Sequence, residues 1–120
     1  MQQEELLKSG SSPSGTQEVL DANWIVHPDK DLEDLIPTFL QNRRNELEEI
    51  DQAASKPDFE FIRRTAHTWK GICRPYGFIH LETLSKSLEV AGEAEDQAKT
   101  QAVAMEIRVY LKNVRIVYDA

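Results

Sequence analysis

Cysteine is almost missing from this chain of 120 residues, and the single thiol, Cys73, has no second cysteine with which to form an internal disulfide. That fits a reducing compartment. Glycine and proline are sparse, five of each, which excludes collagen-like repeats and the glycine- or proline-rich composition of disordered chains. Long apolar runs are missing too. No stretch approaches the roughly 18 to 20 residues that a membrane-spanning helix needs, and the opening Met-Gln-Gln-Glu-Glu lacks the basic and apolar regions of a secretory signal. The expected location is cytoplasmic, with no membrane partner. Basic residues are outnumbered 14 to 21, giving a net charge of −7 and a pI of about 4.9. The molecule as a whole therefore repels phosphodiester backbones, and no nucleic-acid partner is expected.

What is present suffices for one core. With 40% hydrophobic and 29% charged residues, the composition is that of a single globular domain. Ser9-Gly10-Ser11-Ser12-Pro13-Ser14-Gly15 is linker-like, so residues 1–20 are expected to be a flexible extension and 21–120 the folded domain. Thr16 to Trp24 predicts a short helix with Thr16 as N-cap, lying across one end of the molecule. From Asp29 to about Ala54, Leu32, Ile36, Phe39, Leu40, Leu47 and Ile50 form a helical stripe interrupted by Arg43 and Arg44. Pro37 should bend that helix unless it falls in the first turn. Asp58 is the expected N-cap of a second helix, buried along Phe59, Ile62, Ala66 and Trp69 and ending near Cys73 or Arg74 ahead of Pro75. Leu81, Leu84, Leu88 and Ala91 mark a third helix ending near Gly92. A fourth runs from about Glu95, with Val103, Ile107, Tyr110, Val114 and Val117 along one side and Ala102, Met105 and Val109 widening it. No segment reads as a strand. Four amphipathic helices joined by short turns predict an all-α fold, an antiparallel four-helix bundle with the short N-terminal helix across one end.

Chemistry concentrates in the second helix. With Ile62, Ala66 and Trp69 buried, the adjoining face carries Arg63, His67, Lys70 and Arg74 at helical spacing. His67 should therefore face solvent among cations. Gly71 lies one turn beyond it, where a mid-helix glycine costs about 1 kcal/mol relative to alanine. An exposed imidazole beside a surface without a side chain can act as a nucleophile toward a large partner. Lys70, Arg63, Arg64 and Arg74 would offset the charge of a phosphoryl group, and they mark a basic spot suited to an acidic docking partner.

The segment resembles the histidine-containing phosphotransfer (HPt) family, whose pattern is histidine, any residue, an apolar residue, lysine and glycine, with a second glycine ten positions after the histidine. His67, Trp69, Lys70, Gly71 and Gly77 match it. Asp31-Leu32-Glu33-Asp34-Leu35-Ile36-Pro37-Thr38-Phe39-Leu40-Gln41-Asn42-Arg43-Arg44 is similar to the first bundle helix of one HPt subgroup, and Tyr76-Gly77-Phe78 and the later Leu88-Glu89 pair also resemble that subgroup. Ile72 departs from the pattern, standing where the family often has a small residue. The resemblance implies that His67 accepts a phosphoryl group from a receiver aspartate and passes it to a response regulator. It also implies that Lys70 screens the phosphoryl charge, Gly71 admits the receiver's loops and Gly77 permits close packing at the turn. The implied partners are response-regulator receiver domains and a hybrid sensor histidine kinase. No cofactor is expected on this chain, magnesium belonging to the receiver.

The chain has no Gly-x-x-x-x-Gly-Lys-Ser/Thr phosphate loop, so it is expected to be a relay intermediate without ATP-dependent kinase activity. A bundle with no leftover apolar stripe is expected to be a monomer. Two other readings remain open at this point. One is a non-transferring helical adaptor that binds a receiver or kinase by the same basic face; the other is a phosphohydrolase, for which no second catalytic group accompanies His67. His27 and His80 read as ordinary solvated side chains, Trp69, Phe39, Phe59 and Tyr110 as core, and no zinc pattern is present.

Overall fold

Two of the four long helices start at a capping aspartate. In the computed structural model, which describes residues 22–118, the long helices are α1 (Ile36–Ser55), α2 (Phe59–Cys73), α3 (Ile79–Glu93) and α4 (Gln97–Asn113). The Asp58 carboxylate accepts from the Phe61 amide at 3.1 Å and starts α2, and Asp96 accepts from the Lys99 amide at 3.0 Å and starts α4. Such caps contribute about 1 kcal/mol each. After Cys73 the chain tightens into a 3-10 turn, Arg74–Tyr76, and stops at Gly77 with φ +88°. Only glycine adopts that conformation cheaply. The same position is closed to a side chain from outside, because a Cβ there would lie 3.1 Å from the Pro28 Cα.

The four helices form an antiparallel bundle, as their amphipathic faces require. Trp69, Tyr110, Phe78, Ile50, Ile62, Leu81, Leu88 and Ile107 fill its interior. The closest pair is α2 and α3. At Gly92 a Cβ would come within 3.2 Å of the Ile62 Cγ2 and 3.3 Å of the Arg63 backbone nitrogen, so glycine lets the two helices meet backbone to backbone. Along the seam, Arg63 meets Gly92, His67 meets Glu89, and Arg74 meets Glu82. Sequence order rises on one helix as it falls on the other, as antiparallel packing demands.

Several expectations need correction. The first long helix does not begin at Asp29, which instead caps a 3-10 turn at Lys30–Leu32; α1 begins at Ile36 with Pro37 in its first turn, where no intrahelical donor is lost. Arg43 does not merely interrupt the stripe but is buried, 6% exposed. The fourth helix stops at Asn113. Beyond it, Arg115–Ile116 (β2) pairs in parallel with Ile25–Val26 (β1), although no strand was expected, and the Val117 amide donates to the Val26 carbonyl at 2.8 Å. Val114 and Val117 therefore leave the α4 stripe. Met105 and Val109 are exposed rather than widening the core, as is Ala102. Phe59 is only half-buried, and Phe61 packs against the core instead. Of the short N-terminal helix, Ala22–Trp24 forms a 3-10 turn, while Thr16 to Asp21 and the extension lie outside the described residues.

Candidate functional site

The indole of Trp69 fixes the rotational setting of α2. It is 1% exposed, and its Nε1–H donates to Glu46 of α1 at 2.7 Å. The Arg43 guanidinium reaches the same carboxylate at 2.9 Å and lies over the rings of Phe39 and Trp69, with centroid distances of 4.9 and 5.7 Å. A helix turns about 100° per residue, so His67, two positions earlier, lies on the far side. Its side chain is 66% exposed.

The His67 ring does not stand alone. Its Nδ1 is 2.8 Å from Oε2 of Glu89, and Lys70 Nζ is 2.8 Å from Oε1 of the same residue. Glu89 is 13% exposed and stands on α3, across the seam held tight by Gly92. The Lys70 hydrogen bond is the main reason the Glu89 carboxyl sits below its ordinary pKa; partial burial works the other way, and the His67 contact adds to the lowering. Glu89 is thus an anion at neutral pH and can only accept. The bond therefore selects the tautomer with hydrogen on Nδ1. The lone pair falls to Nε2, the nitrogen turned away from Glu89.

Beside the ring the surface is open. A Cβ built at Gly71 would meet no atom within 4 Å. Ile72 does not wall the imidazole off; half-buried, it lines a cleft of about 240 Å³ with Leu35, Phe39 and Tyr76 between α1 and α2. Gly71 is also interior to α2, which continues to Cys73, so it does not terminate the helix.

The structure brings Lys70 to His67 through Glu89, but the arginines are engaged elsewhere. Arg63 and Arg64 approach Glu60 at 3.0 and 3.5 Å. Arg74 forms two bonds, 2.8 and 3.2 Å, to Glu82, a carboxylate on α3 that is itself buried. Each cation of the row thus has a carboxylate partner, which mutes the basic spot. His27 is exposed, whereas His80 is half-buried with its ring 5.6 Å from that of Tyr110. Cys73 is fully buried, and burial pushes its thiol pKa up to about 12. Among the described residues no three His, Cys, Asp or Glu side chains gather as metal ligands, and no helix is long and apolar enough to cross a membrane.

Glu89 is the site residue that motif reasoning passed over. A signal existed: with Leu81, Leu84, Leu88 and Ala91 as the buried stripe of α3, positions 82, 85, 89 and 92 fall on one flank, and that flank faces α2.

The Hpt domain family model matches residues 34–115, well over half of the chain and all four long helices, with His67 inside the match. The chain belongs to this family of histidine phosphotransfer domains, which act as phosphoryl carriers rather than kinases in two-component phosphorelays and work with receiver domains and kinases. Comparison with curated proteins and with solved structures found no match.

Proposed function

We propose that His67 is the phosphoacceptor of a phosphorelay, taking its phosphoryl group from the aspartate of one receiver domain and giving it to a response regulator. One observation carries this reading: an exposed imidazole, its Nδ1 tied to Glu89, stands beside the bare surface at Gly71. The Nε2 lone pair attacks phosphorus while the bond to the donor aspartate breaks and its electron pair leaves with the carboxylate. Such in-line transfer needs positioning and charge neutralisation more than acid or base chemistry. Lys70 screens the phosphoryl charge, Gly71 leaves room for the receiver's loops, and the receiver supplies the magnesium ion. Arg63, Arg64 and Arg74 contribute to docking only as far as their carboxylate partners release them. The protein acts as a cytoplasmic monomer and has no ATP-dependent kinase activity of its own.

The test is phosphoryl transfer from a receiver domain phosphorylated by a hybrid sensor kinase. Acid-labile, base-stable label should appear on the wild type and vanish in His67→Gln. Label of equal strength in that variant rejects the assignment. Tight receiver binding with no label in either protein would make the domain a non-transferring adaptor.

A further inference from the structure

Glu89 uses both oxygens at once, one on the His67 ring and one on the Lys70 ammonium, each at 2.8 Å. In the unphosphorylated protein this selects a tautomer, but after transfer the balance of charge changes. Attack by Nε2 forms the N–P bond and leaves the proton on Nδ1, so the ring becomes a cation. Exposed to water, imidazole cations give up that proton near neutral pH. Once it is gone, the group that must leave phosphorus is imidazolate, a strong base that departs slowly. With the proton in place the leaving group is neutral imidazole, which is why phosphohistidine is labile in acid and durable in base.

Building on the assignment of His67 as phosphoacceptor, we infer that Glu89 keeps Nδ1 of the phosphorylated ring protonated at neutral pH, so that the phosphoryl group is carried in its readily transferred form. Glu89 is a positioning residue in this scheme, acting on phosphorus only through the imidazole. An opposite charge at hydrogen-bond distance favours the cationic ring, and the geometry keeps that charge at Nδ1 rather than at Nε2. On α2, Arg63, Arg64 and Lys70 lie within one turn of His67. Both arginines are paired with Glu60, while Lys70 opposes the effect by sharing the carboxylate. On α3, Lys86 and Glu93 lie one turn to either side of Glu89 and are exposed. The charged groups that α1 sends toward α2, Arg43 and Glu46, meet it on the Trp69 side and are bound to each other.

The experiment needs no partner protein. Phosphoramidate, a small phosphodonor, is used to label the wild type, Glu89→Gln and Lys70→Ala. Loss of label is followed from acid to alkaline pH, and the protonation of Nδ1 is read from its nitrogen chemical shift. Rapid loss in the wild type should extend to higher pH than in Glu89→Gln by about one pH unit or more, the usual effect of an adjacent opposite charge. At neutral pH the variant then loses label about tenfold more slowly, one unit being one decade. Lys70→Ala, which frees the carboxylate for the ring, should move the limit the opposite way. Superimposable wild-type and Glu89→Gln profiles overturn the inference, as does a shift in the same direction for both variants. An unprotonated Nδ1 in the neutral wild type also overturns it, whatever the variants do. Label that persists in His67→Gln is a separate failure, of the phosphoacceptor assignment itself.

Discussion

On opposite sides of α2, two glutamates perform the same local chemistry to different ends. Glu46 accepts from the Trp69 indole and the Arg43 guanidinium; Glu89 accepts from the His67 imidazole and the Lys70 ammonium. In the first pair the ring is sealed, 1% exposed, and the carboxylate is the open member at 40%. In the second the exposures are reversed, 66% for the ring and 13% for the carboxylate. The indole has a single nitrogen, and bonding consumes it. The imidazole has two, so fixing one leaves the other available for chemistry. The same contact therefore locks a helix when it faces the core and leaves a ring nitrogen accessible when it faces water.

The comparison breaks first at Trp69. Replacing it with alanine removes a buried aromatic and should cost about 3 to 5 kcal/mol, measured as a fall in the denaturant midpoint, whereas His67→Gln should leave that midpoint nearly unchanged. A large stability loss in His67→Gln would mean the two sides are not functionally divided.

The seam between α2 and α3 comes next. Gly92→Ala places a methyl group against the Arg63 backbone, which cannot yield as a side chain can. Overpacking costs about 1 to 3 kcal/mol, partly offset by the better helix propensity of alanine. A net loss of about 1 kcal/mol is expected, with weakened phosphoryl transfer as Glu89 moves from His67. Undiminished transfer would show that the seam does not set the site.

Gly71→Ala should do the opposite. With no atom within 4 Å of the added carbon, it gains about 1 kcal/mol of helix propensity, while transfer from a receiver slows. Faster or equal transfer would remove the reason for a glycine there.

The smallest effect concerns acid. Because the folded-state pKa of Glu89 is depressed, its stabilising contribution is present above the ordinary carboxyl value of 4.5 and is lost as pH falls through the folded value. Glu89→Gln should therefore flatten the wild-type fall in stability below that pH, as followed by thermal melts. An unchanged acid limb would show that the Lys70 bond adds nothing to folding.

Much of α2 was legible in advance because its signals are local. Asp58 before the apolar repeat and Pro75 after it bracket the helix, and the Ile62, Ala66 and Trp69 stripe sets which way His67 points. Other features depend on groups far away in sequence. Arg43 looks like a surface charge until Glu46 and two aromatic rings close around it. Two-residue strands have no periodicity to detect, and Val114 and Val117 keep a helical spacing although the chain has left the helix to pair with β1. Met105 and Val109 extend an apolar stripe on paper, but α4 has no neighbour on that side among the described residues. Glu89 required both the phase of α3 and its register against α2, and the family motif around the histidine contains neither.

The open ground at Gly71 also has a kinetic corollary. In the proposed relay a single ring nitrogen beside the bare surface at Gly71 serves both partners, so the domain that delivers phosphate must depart before the next can dock. Traffic of this kind is ping-pong, and a surplus of either receiver in its unphosphorylated state would throttle the flow by occupying the doorway.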